Sequence, residues 1–162
     1  MISAEIRVED TRWGSASDLE ALVAGCLDAW RAEGAGMPDS AEIAVLFTDD
    51  AAQRELNREY RGKDRPTNVL SFPAGDTPLP PGMPRPLGDI SLAYETVVRE
   101  AGTGAIAVDA HLRHLILHGL LHLLGYGHEN DSDAMIMEQT ETRALARLGI
   151  ADPYRPKQVL DV

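Results

Sequence analysis

Cysteine occurs once in this chain, at Cys26. An internal disulfide is therefore impossible, which excludes the stapled framework of small secreted domains. Cys26 lies among Leu22, Val23 and Leu27 and is expected to be a buried thiol. Long apolar runs are also missing: no stretch approaches the roughly 18 residues that a membrane span needs. Met1-Ile2-Ser3-Ala4-Glu5-Ile6 holds no basic region followed by an apolar one, so no signal peptide is expected. These absences favour a cytoplasmic location. Basic residues are few, 15 against 26 acidic, for a net charge of −11. That balance argues against broad electrostatic adhesion to nucleic acid. One segment departs from it. Arg54, Arg58, Arg61, Lys63 and Arg65 face only Glu55, Glu59 and Asp64. Arg54 and Arg58 read as a solvated helix face with local ion pairs. Arg61, Lys63 and Arg65 lie past the helical pattern, where that explanation weakens.

With 162 residues and 44% hydrophobic content, the chain is long enough for one domain with a sizeable core. Ile2, Ala4, Ile6 and Val8 alternate with polar neighbours and predict a strand over 2–9. Leu19, Leu22, Val23, Leu27 and Trp30 predict a helix over 16–33, closed by Gly34, Gly36 and Pro38. A buried strand follows at 42–48, and Thr48 or Asp49 caps a helix to about Tyr60. Arg61 to Thr67 reads as a loop, and 68–72 as a short strand. Pro73, Pro78, Pro80, Pro81, Pro84 and Pro86, six of the ten prolines, mark an exposed irregular loop over 73–86. Another strand is expected at Gly88–Ala93, then helices over 94–101, 107–124 and from Asp131 or Ser132 to about Leu148. The fold class expected is α+β (mixed α/β): a single domain with a small mixed sheet packed by helices. Residues 1–150 form that domain, and 151–162 an irregular tail.

The densest chemical signal is His118-Gly119-Leu120-Leu121-His122-Leu123-Leu124-Gly125-Tyr126-Gly127-His128. Residues four apart on a helix share a face, so His118 and His122 can aim two imidazoles at one point. Gly125 can end the helix in a left-handed cap, and the returning chain brings His128 to the same point. Three imidazoles leave one position of a tetrahedral zinc open, the pattern of a catalytic site. His114, His118 and His122 form one row, but His114 and His122 start about 12 Å apart along the axis. Zinc–nitrogen bonds are only about 2.0–2.1 Å, so those two do not share a metal easily. His114 is expected to be packed or to support a ligand from behind, and His111 to lie on the surface one turn back.

The position after the first histidine is Gly119. A zinc peptidase of the H-E-x-x-H type carries its glutamate base there, so peptide hydrolysis by that route is disfavoured. Phosphodiester chemistry would need zinc-bound water and a cation for the non-bridging oxygens. Arginine suits that task because its planar fork matches two oxygens, and Arg61 is the candidate.

The histidine run resembles the signature of the YbeY family of bacterial endoribonucleases, also called rRNA maturation factors. Leu56 to Pro73, including Tyr60-Arg61-Gly62-Lys63-Asp64 and Asn68-Val69-Leu70-Ser71-Phe72, is similar to a second family block. Leu87-Gly88-Asp89-Ile90 is similar to a third, and the likeness spans roughly residues 42 to 147. The resemblance implies a metal-dependent hydrolase that cuts single-stranded RNA and acts in ribosomal RNA maturation and ribosome quality control. It implies one Zn2+ per chain held by His118, His122 and His128, and a substrate-phosphate role for Arg61. RNA is the implied partner, with the ribosome or its proteins. Where the family has aspartate before the third histidine, this chain has Gly127. Two other readings stand beside it: a metal hydrolase of another substrate such as a peptide, and a ribosome-associated binding protein with a structural metal.

Overall fold

Alternation along the first two strands decides which side of the sheet the helices cover. In β1 (Ile2–Val8), Ile2, Ala4, Ile6 and Val8 are half-buried while Ser3, Glu5 and Arg7 are exposed. In β2 (Ala41–Thr48), Ala41, Ile43, Val45 and Phe47 are buried and Glu42 is exposed. Both strands therefore turn one apolar face to a core, as period-two patterning dictates. The computed structural model describes residues 2–33, 38–75, 78–125 and 131–153.

Among those residues lie four strands and five α-helices. The other strands are β3 (Val69–Pro73) and β4 (Arg85–Ala93). The helices are α1 (Ala16–Ala32), α2 (Asp50–Arg61), α3 (Tyr94–Thr103), α4 (Val108–Leu123) and α5 (Asp131–Arg147). The sheet order is β1-β2-β4-β3. β1, β2 and β4 run parallel, and β3 pairs antiparallel with β4 at an edge. This is the mixed α+β sheet the sequence predicts. Among the described residues no helix is long and apolar enough to cross a membrane.

The first helix packs on β1, and α4 on β3 and β4. Leu19, Val23, Cys26 and Trp30 of α1 meet Ile116, Leu117 and Leu120 of α4 in one continuous core. Cys26 is fully buried, as expected, and burial pushes its thiol pKa up to about 12. Gly119 brings α4 close to the sheet. A side-chain carbon there would sit 3.1 Å from Ser71 Oγ and 3.2 Å from Ile90 Cδ1. Gly88 has a stricter reason: its φ is +134°, and a Cβ would stand 2.2 Å from the Phe72 carbonyl oxygen.

The second helix is tied to its neighbours by buried polar pairs. Gln53 Nε2 donates to the Ser91 carbonyl at 3.0 Å, and Ser91 Oγ donates to Gln53 Oε1 at 2.7 Å. Asp50 Oδ1 accepts from the Thr96 amide at 3.0 Å, fixing the start of α3. Of the two capping candidates it is Asp49 that accepts, from the Ala52 amide at 2.8 Å.

Of the boundaries that differ from expectation, two bear on the site and the sheet. Arg61 is the last residue of α2, not the first of a loop, because Gly62 closes the helix in the left-handed region at φ 69°. β4 starts at Arg85 instead of Gly88, since Arg85 and Pro86 still align with Ala41 and Glu42 before the register shifts. Prolines over 73–86 obscured that extension, because a proline within a strand reads as a break. Of the expected tail, 151–153 are irregular and 154–162 lie outside the described residues.

Candidate active site

Helix α4 is apolar nearly all round, which by itself calls for burial. Leu112, Leu115, Ile116, Leu117, Leu120, Leu121 and Leu123 are all buried. One stripe stays half open, and it consists of His111, His114, His118 and His122. These four line a cleft of about 720 Å³, whose other wall includes Arg61, Asn68, Ser71 and Glu100. A separate groove of about 480 Å³ lies between α2 and the first strands, but no histidine lines it.

His118 Nε2 and His122 Nε2 stand 3.0 Å apart, their rings tilted 74° with centroids at 4.6 Å. Two ligands of one tetrahedral zinc, each at about 2.0–2.1 Å, lie about 3.3–3.4 Å from each other. The separation of the two nitrogens is thus within a few tenths of an ångström of that between two ligands of one zinc. The other nitrogen of His118 is engaged differently. Nδ1 is 2.5 Å from Glu141 Oε1, and His114 Nε2 is 3.2 Å from Glu141 Oε2. His114, His118 and Glu141 also form a group whose ligand atoms lie within 4.8 Å of one another. That group could hold a metal as well. The 2.5 Å separation, however, has the length of a strong hydrogen bond and is too short for two ligands of one ion.

Sequence reasoning missed Glu141. Its side chain is fully buried on the apolar face of α5, beside Met137, Ala144 and Leu145. A carboxylate in such a stripe carries a heavy desolvation cost unless partnered, and here two imidazoles partner it. The signal was present: Met137, Glu141, Ala144, Leu145 and Leu148 recur at helical spacing, with one acidic residue among apolar ones.

Arg61 enters the cleft from the end of α2, where a cation also suits the helix dipole. Two of the acidic residues near it in sequence are otherwise committed. Asp64 accepts from Arg54 at 2.7 and 3.1 Å, and Glu55 from Arg58 at 2.7 Å. The local pairing expected for Arg54 and Arg58 is present. Among the described residues no ion pair joins Arg61, Lys63 or Arg65 to an acid. Asn57 Nδ2 donates to the Arg65 carbonyl at 2.8 Å and fixes the basic loop against α2. Arg61, Lys63, Arg65 and Arg99 together border a side pocket that shares Arg61, Asn68 and Glu100 with the lining of the histidine cleft.

His111 is not a surface residue. Its side chain is 13% exposed, and Nε2 bonds Glu100 Oε1 at 2.8 Å. Asn68 Nδ2 donates to the same oxygen at 3.0 Å, joining the residue before β3 to α3 and α4 on one wall. Sequence spacing could not show this, because Glu100 belongs to another helix. Gly125 has φ 94°, the left-handed conformation expected after the helix. His128 and Gly127, the third expected ligand and the departure from the family pattern, lie outside the described residues.

The profile of the family described as Endoribonuclease YbeY matches residues 5–149. A protein of Chelativorans sp. (strain BNC1) bearing that description is 51% identical over 142 residues, 88% of this chain and 86% of its own. Another from Rhodopseudomonas palustris (strain BisA53) is 45% identical, covering 98% of this chain and 94% of its own. In fold, the chain is similar to the solution structure of TM1509 from Thermotoga maritima. The TM-score is 0.57 at 23% identity, over 96% of this chain and 99% of that one.

Proposed function

The chain belongs to the YbeY endoribonuclease family, and we propose that it is a zinc-dependent, single-strand-specific enzyme acting in ribosomal RNA maturation and ribosome quality control. The observation that carries this reading is the convergence of His118 Nε2 and His122 Nε2, 3.0 Å apart, in a cleft that Arg61 also lines. His118, His122 and His128 hold the metal, one Zn2+ per chain. Imidazole donors suit zinc, and three of them leave one position for chemistry. A bound zinc would supply Lewis acidity and a water activated at neutral pH.

The chain's own residues do the rest. Arg61 grips the non-bridging oxygens of the attacked phosphodiester, where charge grows in the transition state. Its planar fork fixes orientation as well as charge. Lys63, Arg65 and Arg99 continue a cationic path beside Arg61, which suits the backbone of an extended strand. A cleft of about 720 Å³ has room for a short stretch of one strand. His111 and Asn68, both bound to Glu100, stiffen the wall between the metal position and that path. Residues 1–150 act as one hydrolase domain in the cytoplasm, with ribosomal RNA, and the ribosome or its proteins, as partners.

Two observations weigh against the alternatives. A peptidase glutamate in place of Gly119 would crowd Ile90 and Ser71, so that base is disfavoured on α4. A purely structural metal would be closed by four protein ligands, yet His118 and His122 line an open cleft. The test is cleavage of a single-stranded RNA and its duplex by the zinc-loaded protein, with and without a chelator. The reading expects cleavage of the single strand, little of the duplex, and loss on chelation with recovery on adding zinc. Chelator-insensitive cleavage, or none in zinc-loaded folded protein, contradicts it.

A further inference from the structure

We propose that Glu141 is a positioning residue for the metal centre: its buried carboxylate fixes the His118 ring so that Nε2 faces His122, and it does not ligate the metal itself. The proposal rests on the metal site described above and adds to it the residue that prepares one ligand.

The two ends of the His118 ring meet different partners. At one end, Nδ1 lies 2.5 Å from Glu141 Oε1, and at the other, Nε2 lies 3.0 Å from His122 Nε2. With Glu141 as a carboxylate, which only accepts, Nδ1 carries the hydrogen of that bond. A neutral ring protonated at Nδ1 offers a lone pair at Nε2 alone. The pairing therefore directs the metal to the His122 edge. The distances agree. The edge between two ligands of tetrahedral zinc is about 3.3–3.4 Å, close to the Nε2 pair and far from the 2.5 Å contact.

The carboxylate is placed to act this way. Its side chain is fully buried, whereas His118 is 23% and His114 18% exposed. Its second oxygen, Oε2, lies 3.2 Å from His114 Nε2. One carboxylate thus ties two successive histidines of α4 to α5. This gives His114 its place: it supports the carboxylate from one turn back. A histidine ligand held through its other nitrogen by a carboxylate is a recurring arrangement that sets ring orientation and raises ligand basicity.

Glu141→Gln keeps the shape but removes the charge, and its amide offers one acceptor where two were used. The probe is zinc alone, titrated against a competing chromophoric chelator, with no RNA present. Glu141→Gln is expected to bind zinc 10- to 100-fold more weakly than the unaltered protein, on the scale for lost ligand support. Nitrogen-resolved NMR of the unaltered zinc-loaded protein should find His118 protonated at Nδ1 and ligating through Nε2. A merely structural glutamate would leave the zinc affinity of a folded Glu141→Gln protein unchanged, and that result overturns the proposal. So does a His118 ring ligating through Nδ1, which can be read even if Glu141→Gln fails to fold. If the unaltered protein takes up no zinc, the metal site itself fails and this inference with it. RNA cleavage failing while the zinc results hold would count against the nuclease reading only.

Discussion

Replacing Arg61 with alanine separates a catalytic arginine from a decorative one, because the structure assigns very different sizes to its two possible losses. On the folding side little is at stake. Arg61 is exposed at the last turn of α2 and has no acidic partner among the described residues. Asp64, three residues further on, is held by Arg54, which takes both carboxylate oxygens and lowers the acid's pKa. What remains is a charge near a helix C-terminus, worth about 0.3–1 kcal/mol. For a domain of this size the melting temperature should fall by no more than about 4 °C. On the catalytic side, loss of one fixed donor to the developing charge costs about 10²–10³-fold in rate. Arg61→Ala should therefore keep full zinc content and nearly the same melting curve, while cleavage of single-stranded RNA falls by about 100-fold or more. Arg61→Lys should recover part of the loss, since a point charge cannot reproduce a planar fork. The assay is single-turnover cleavage with enzyme in excess, alongside metal content and thermal unfolding on the same preparation. A folded, zinc-loaded Arg61→Ala protein with undiminished cleavage would refute the phosphate role.

Gly119→Ala should destabilise the fold by about 1–3 kcal/mol, because its Cβ would stand 3.1–3.3 Å from Ser71 and Ile90. Urea unfolding measures this, and an unchanged midpoint would mean that α4 is free to move off the sheet. Gly88→Ala should be worse, since the obstacle is the Phe72 carbonyl 2.2 Å away and φ is +134°. Soluble, native-like protein from that variant would contradict the close approach of β3 to β4. Cys26 should resist alkylation at pH 8 in the native state and react on unfolding, because burial raises its pKa to about 12 and keeps the thiol protonated. Rapid labelling without unfolding would show that the core around it opens.

How much of this was legible beforehand follows from the range of each signal. Period-two and helical patterns are local, so β1, α1, β2 and α4 appear in the sequence within a residue or two of their ends. Asp49 and Gly125 carry their roles in their own chemistry, as a side-chain cap and a left-handed residue. The sheet order is not local: nothing in the residues of β4 says that it inserts between β2 and β3. The site divides in the same way. His118 and His122 are four apart on one helix, so their shared face could be read directly. The partner of His111 comes from α3, and that of His118 from α5, contacts that only the packing of three helices creates. Arg61 was legible as a candidate from its neighbours, but its position in the cleft depends on Gln53, Asn57 and Asp50 fixing α2 to β4, the loop and α3.

The central claim is that the metal binds on the His122 side of His118, and zinc titration of three proteins tests it most directly. The unaltered protein, His122→Ala and His114→Ala would each be measured for zinc stoichiometry and affinity under identical conditions. The account predicts one zinc per unaltered chain, severe loss in His122→Ala, and a much smaller loss in His114→Ala, whose ring bonds Glu141. Full zinc binding by His122→Ala together with its loss in His114→Ala would contradict the account and place the metal between His114, His118 and Glu141 instead.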